Sequence, residues 1–356
     1  MVDVSFDDYS YYPAIRTRVA ELRGLQELDP SRKAKILPVL TLGRWPKATD
    51  FSKSAAKADE AMSGYPYILD LTSDASHLAA EQLALRNHEN AFQAWRTFCQ
   101  RYERAVPVVQ FGTEAAKRRD TTKQAQQIER STGKLAFRIV EFGEQTPLVI
   151  NALSALDDPR NAIVFIDCGY IRNALAAYTT ACIATINQLR TEFPEIQIAV
   201  LSTSFPPSTA PFADASGLRG SIDILERQLH QKIGGDTVAT YGDHGSVHSV
   251  VYDEQTIMRW AARIDYPTEI EWYFERRPQN QSEQGYISAA EAIVGLDPEV
   301  GTRNIWGEAM IQQAAAGKPH GKAPSSWIAV RVNIHLSRQI DFSEHLKDAL
   351  GESDVE

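Results

Sequence analysis

Ala162-Ile-Val-Phe-Ile-Asp167, then a segment from Ile171 to Phe193 that stops before Pro194, then Gln197-Ile-Ala-Val-Leu-Ser202: this stretch decides the fold. The first and last pieces are short, apolar and β-branched with little alternation, which suits strands buried on both faces. The middle piece has the length of a helix and a proline just past its end. Strand, helix and strand in that order require a crossover and so a parallel pair. The same rhythm continues outward in both directions. Upstream lie Lys35-Ile-Leu-Pro-Val-Leu-Thr41, Tyr67-Ile-Leu-Asp70, Val106-Pro-Val-Val-Gln110 and Leu135-Ala-Phe-Arg-Ile-Val-Glu141. Downstream lie Thr237-Val-Ala-Thr-Tyr241 and Glu269-Ile-Glu-Trp-Tyr-Phe274. Eight such units are the number that closes a barrel. The fold class expected is α/β, a (β/α)8 TIM-like barrel with an N-terminal helix and a C-terminal extension.

The spacing of Val19, Leu22, Leu25 and Leu28 predicts a helix between Tyr11 and Leu28, ended by Asp29-Pro30 and placed to close the barrel bottom. The expected organisation is a helical segment over 1–34, the barrel over 35–278, an extension over 279–350 packed on the barrel, and a disordered tail over 351–356. Helices are expected at His77 to Tyr102, Thr113 to Ser131 and Ser221 to Ile233, the last stopped by Gly234-Gly235. The segment from Gly242 to Glu254 reads as a long loop ahead of a helical stretch at Ile257, and long loops on compact scaffolds are commonly functional. In the extension, Ile328 to Gln339 is apolar and β-branched at first, then helical in character up to Leu350.

With 356 residues, 43% hydrophobic and 23% charged, the chain can bury a sizeable core. A net charge of −9 disfavours binding nucleic acid through the whole surface. Lys117-Arg-Arg119 and Arg276-Arg277 leave room for a local basic patch, so a nucleic-acid partner stays open. The three cysteines, Cys99, Cys168 and Cys182, form neither a disulfide framework nor a zinc pattern and suit a reducing cytosol. The first eight residues carry no basic and apolar signal regions, and no apolar run approaches the roughly 20 residues that span a bilayer. The expectation is a cytoplasmic protein without a membrane partner. Nothing in the residues names a cofactor or an oligomeric state.

A barrel of this kind carries its chemistry at the C-terminal ends of its strands, where polar inward residues replace packed aliphatic ones. Several runs end in that way: Asp70, Gln110, Arg138 with Glu141, Asp167, Ser202 with Ser204, and Tyr241 with Asp243 and His244. Arg138 and Glu141 differ in parity, so one of them at most faces inward. Arg138 sits between Phe137 and Ile139, where an unpaired charge would cost several kcal/mol. A partner is therefore expected in Asp70 or Asp167. In a functional reading Arg138 clamps an anion, Asp70, Asp167 and Asp243 serve as catalytic acids or bases, and Ser204, Tyr241 and His244 orient the ligand. In a structural reading an Arg–Asp network merely fills the mouth. Three acids could also hold magnesium, with His77, His244 and His248 nearby, but no metal-binding spacing is present and none is assigned. Ser202-Thr-Ser-Phe-Pro-Pro207 could present hydroxyls and amides to an anion or be a locally bonded turn. No nucleophile elbow, phosphate loop or dinucleotide fingerprint occurs, and Cys168 has no basic neighbour in sequence.

Tyr12-Pro-Ala-Ile with Glu21 and Leu25, followed by Ile36-Leu-Pro-Val-Leu40, resembles the opening of the phage-type "beta protein" family. The Arg138 strand, Ile166-Asp167, Ser204-Phe-Pro206, Tyr241-Gly-Asp243 and Trp327-Ile-Ala-Val-Arg-Val-Asn333-Ile-His335 extend the resemblance along nearly the whole chain. It departs from the family at Thr41-Leu42, where members commonly carry an acid. The resemblance implies a setting among phages and bacterial defence-type genes and a role in phage–host conflict, with no catalytic residue to transfer. The resulting expectation is a barrel of phage or antiviral-defence context that binds an anionic, phosphorylated or nucleotide-like small molecule at its mouth and hydrolyses it. The alternative is a catalytically silent scaffold that holds a protein partner through its surface loops and the extension with Trp306 and Trp327.

Overall fold

Eight parallel strands form one sheet that curls on itself in a computed structural model describing residues 2, 4–73, 78–112, 117–249, 261–279 and 281–353. The barrel strands are β1 (Tyr11–Arg16), β2 (Val39–Leu42), β3 (Tyr67–Leu71), β4 (Ala105–Pro107), β5 (Leu135–Ile139), β6 (Ala162–Tyr170), β7 (Gln197–Thr203) and, after an intervening β8 (Arg219–Asp223), β9 (Thr240–Asp243). Each pairs in parallel with its neighbours, and β1 pairs with both β2 and β9. The ring closes between β4 and β5 by a parallel bridge from Val108 to Ala136.

The barrel is the one expected, but one of its strands comes from elsewhere in the chain and one expected strand lies outside it. The strand next to Val39–Leu42 is Tyr11–Arg16, within the segment read as an N-terminal helix; only Val19–Gln26 (α1) is helical there. Pro13 removes an amide donor and opposes helix before Val19, while Tyr11, Tyr12, Ala14 and Ile15 are buried. Conversely, the last expected strand does not join the barrel. It is β11 (Glu271–Arg276), the middle of an antiparallel sheet between β10 (Arg263–Pro267) and β8. The distinction was written in its alternation: Trp272 and Phe274 are buried, whereas Glu271 and Tyr273 are only partly so. Strands of a closed parallel barrel are covered on both faces, and antiparallel strands alternate.

The helices form an outer layer. After α1 come α2 (Pro30–Lys33), α3 (Ser52–Met62), α4 (Ala79–Leu85), α5 (Glu89–Cys99), α6 (Lys117–Thr132), α7 (Phe142–Leu153), α8 (Leu175–Glu192) and α9 (Leu225–Ile233). The chain ends in α10 (Ser282–Leu296), α11 (Trp306–Ala315) and α12 (Pro324–Ser353). The β-branched start of Ile328 to Gln339 is thus helical from Pro324 onward. Helix α12 packs on α1, β1 and β10, and Arg227 of α9 donates to Gln339 and Ser343 within it. It fills the gap in the helical ring between α9 and α1, which is why residues 327–340 are buried almost all round. Among the described residues no helix is long and apolar enough to cross a membrane. The expected helix from Ile257 and the end of the Gly242–Glu254 loop lie largely outside the described residues, as do His77 and the last three positions.

Inside the barrel, Tyr12, Ala14, Val39, Ile68, Val106, Ala136, Phe165, Ala199 and Leu201 pack into one cluster. Val4 and Phe6, ahead of the first strand, join that cluster, and the Tyr12 hydroxyl donates to the Phe6 carbonyl at 2.5 Å. The lower part of the barrel is therefore solid core. A Cβ on Gly24 of α1 would lie 2.8 Å from the Ala329 carbonyl and from Val332 Cβ of α12, so the two helices touch backbone to side chain there. Gly24→Ala should accordingly destabilise the protein by about 1–3 kcal/mol through overpacking. Urea denaturation tests this; an unchanged midpoint would show that α12 is not seated so closely.

Candidate functional site at the barrel mouth

Because side chains alternate along a strand, the residues one step beyond the apolar layer on the same face are fixed by parity. They are Arg16 after Ala14, Thr41 after Val39, Asp70 after Ile68, Gln110 after Val108, Arg138 after Ala136, Asp167 after Phe165, and His244 after Gly242. All seven line one cavity of about 920 Å³ at the C-terminal ends of the strands. Arg86 just beyond α4 and the exposed Glu141 and Glu144 at the start of α7 complete its polar lining.

Arg138 holds the centre. Its Nε and Nη2 donate to one oxygen of Asp167 at 2.9 and 2.6 Å, and its Nη1 donates to Asp70 at 2.9 Å and to the Thr41 hydroxyl at 2.8 Å. Both expected partners are thus engaged at once, and strands β2, β3, β5 and β6 are tied through one guanidinium. Thr41 takes part as an acceptor. The second Asp70 oxygen accepts from Gln110 Nε2 at 3.1 Å and from its neighbour's amide, Leu71, at 2.8 Å. The second Asp167 oxygen accepts from His244 Nε2 and the Gly169 amide, each at 2.9 Å. Burial alone would push the Asp167 carboxyl up, but His244, Arg138 and the Gly169 amide outweigh it and hold the acid well below the usual range. Burial likewise opposes the Arg138 charge, and Asp167 with Asp70 more than restores it.

Three of the residues singled out in the sequence sit elsewhere. Tyr241 and Asp243 have the opposite parity from His244 and face outward, toward α12. Asp243 is fully buried and accepts from the Tyr11 hydroxyl at 2.7 Å, the Tyr241 hydroxyl at 2.9 Å, the Gly245 amide at 2.7 Å and His335 Nε2 at 2.8 Å. Burial works to raise its carboxyl, and His335, Tyr11 and Gly245 instead bring it down to about 2. Asp243 therefore anchors the closing helix and does not line the cavity. Ser204 is also fully buried; its amide and hydroxyl both donate to Glu226 of α9, at 2.7 and 2.5 Å. The anion cradled by that turn is the protein's own carboxylate. His248 lies farther out, its ring against Tyr170 and its Nδ1 3.1 Å from the Phe205 carbonyl.

Some participants carried no usable sequence signal. Arg86 follows a short helix in a long connection, Glu226 begins another, and His335 lies 92 residues beyond the aspartate it contacts. Cys168 touches Cys182 at 3.3 Å, and that contact together with burial pushes its thiol far up, which leaves little thiolate to act as a nucleophile. Among the described residues no group of three or more His, Cys, Asp or Glu side chains is arranged to hold a metal ion.

Two outcomes follow from these contacts. Arg138→Met leaves two buried carboxylates without their cation and should cost about 3–5 kcal/mol of stability, with most of it recovered by adding Asp70→Asn and Asp167→Asn. Chemical denaturation of the single and triple variants measures this, and a neutral single substitution would contradict it. Because the folded carboxyl of Asp243 lies below its unfolded value, its contribution is complete above about pH 4 and fades as pH falls toward 2. The stability gap between wild type and Asp243→Asn should therefore narrow on acidification from pH 5 to pH 2.5; a constant gap would contradict the assignment.

The chain matches the family described as Beta protein over residues 11–341, from the start of β1 into α12. It is 48% identical over 345 residues to "Protein beta" of Enterobacteria phage P4, an alignment that spans 97% of this chain and 96% of that protein.

Proposed function

This chain belongs to the Beta protein family, and from that premise we propose a barrel protein of phage or antiviral-defence context that binds an anionic, phosphorylated or nucleotide-like small molecule at its mouth and hydrolyses it. The observation that carries the reading is the 920 Å³ cavity with a ring of charged and polar groups converging on it. Its volume is in the range of small-molecule sites, and its position is where barrels of this class hold their ligands.

Hydrolysis is supported by the pairing of His244 with Asp167. If Nε2 carries the proton given to Asp167, Nδ1 is left basic and, among the described residues, without a hydrogen-bond partner. Asp167 would orient that ring and stabilise its protonated form while Nδ1 takes a proton from water. Asp70, locked between Arg138 and Gln110, would keep the guanidinium fixed through the step.

One observation favours the scaffold alternative. Each nitrogen of Arg138 is already engaged by the protein, so the centre of the ring is satisfied without a ligand. In that reading the mouth is a structural plug and the biological role lies on the surface. Trp327 cannot be part of such a surface, being buried against Tyr286.

A panel of nucleoside mono-, di- and triphosphates separates the two. At a hundred times its dissociation constant a ligand should stabilise the wild type by about 2.7 kcal/mol, read as a rise in melting temperature. His244→Ala should keep that rise and lose turnover. Absence of stabilisation by every phosphorylated small molecule would overturn the proposal, and unimpaired turnover in His244→Ala would remove its hydrolytic part.

A further inference from the structure

Three guanidinium groups line the mouth cavity, and they are not equivalent. Arg138 is neutralised by Asp70 and Asp167. Arg16 is neutralised by Glu21, which its Nη2 meets at 3.0 Å and its backbone amide at 2.9 Å. Arg86 has no carboxylate partner among the described residues. Its Nη2 donates to the carbonyl oxygens of Leu71 and Thr72, at 3.2 and 3.1 Å, at the end of β3. Its Nε is buried with no hydrogen-bond partner, and Nη1 has none among the described residues. Asp70 attracts it from a distance, but burial dominates and lowers its affinity for a proton.

A partly dehydrated cation whose charge is not compensated is a cost to the empty protein. Two backbone carbonyls aim the group but do not balance it. Loss of stability at such a point is the usual signature of a site arranged for something that arrives later. Arg138, in contrast, could grip an external anion only by giving up an aspartate.

We infer that Arg86 is the residue that receives the oxyanion of the ligand, through the unused Nη1 of its guanidinium, and that Arg138 is a positioning residue that holds Asp70 and Asp167. The inference rests on the anion-binding reading of the same cavity and names the group that does the binding. The ligand chemistry is a phosphate or carboxylate small enough to enter the barrel mouth, since the oxygens of both accept charge-assisted hydrogen bonds from a guanidinium N–H.

The test is calorimetric titration of the full chain with inorganic pyrophosphate and, separately, with succinate, which distinguishes phosphate from carboxylate. Wild type should bind one of them, Arg86→Gln should bind at least tenfold more weakly, and Arg86→Lys should recover part of the loss. Thermal melts of the unliganded variants supply a second readout. Removing an uncompensated charge in Arg86→Gln should leave the melting temperature unchanged or raise it, whereas a purely structural arginine would lower it. If wild type binds pyrophosphate or succinate and Arg86→Gln binds as tightly, the assignment to Arg86 is overturned while the cavity reading stands. If wild type binds neither and no nucleotide of the panel stabilises it, the cavity reading itself fails and the assignment goes with it.

Discussion

The guanidinium of Arg138 is the point on which the barrel mouth depends. It sits in a layer where parity forces side chains from every strand toward a shared axis, and it meets two carboxylates and a hydroxyl there. Below it the interior is aliphatic and aromatic packing; above it the space opens. A cation in that position needs both aspartates because burial removes its water, and both aspartates need it for the same reason. The arrangement makes the floor of the cavity stiff. Stiffness is what a binding site requires of its floor, since groups that contact a ligand must already be in place when it arrives.

The second support lies on the opposite side of the barrel wall. Asp243 ends β9, faces outward, and gathers Tyr11 from β1, Tyr241 from its own strand and His335 from α12. The neighbouring residue, His244, points inward to Asp167. Two consecutive positions therefore serve two systems, one that fastens the closing helix and one that lines the cavity. Any shift of α12 that moves Asp243 also moves the backbone that carries His244. The C-terminal helices and the antiparallel sheet are thus mechanically connected to the mouth without contributing, among the described residues, a side chain to it.

The parallel barrel was legible in the sequence because unalternating β-branched runs separated by helix-length segments have few other readings. The pairing of Arg138 with Asp70 and Asp167 was legible as well, because a charge between Phe137 and Ile139 must find a counter-charge across the barrel. Strand β1 is hidden in the sequence because Val19, Leu22, Leu25 and Leu28 carry a strong helical period immediately after Tyr11-Tyr-Pro13. The run at Glu269 completes a count of eight strands, and only its alternation marks it as part of the antiparallel sheet. The proximity of Tyr241 and Asp243 to His244 in sequence conceals their opposite parity. Arg86 and Glu226 could not be found at all, since the significance of each is the presence or lack of a partner in space.

Helix α12 has one further consequence, for the order in which the molecule can form. The first strand emerges early in synthesis, yet one of its neighbours, β9, follows more than two hundred residues later, as the pairing of Tyr11 with Tyr241 records. The helix that covers this seam, α12, lies farther along still, from Pro324 to Ser353. Contacts so distant along the chain must overcome a large loop-closure entropy before they give anything back. Until α12 has been made, the seam between β1 and β9 stays uncovered by its own helix. Before β9 is made the nascent barrel is an open sheet with two strand edges, the form most exposed to mispairing with other chains. Closure of the barrel waits for β9, and covering of the seam waits for α12.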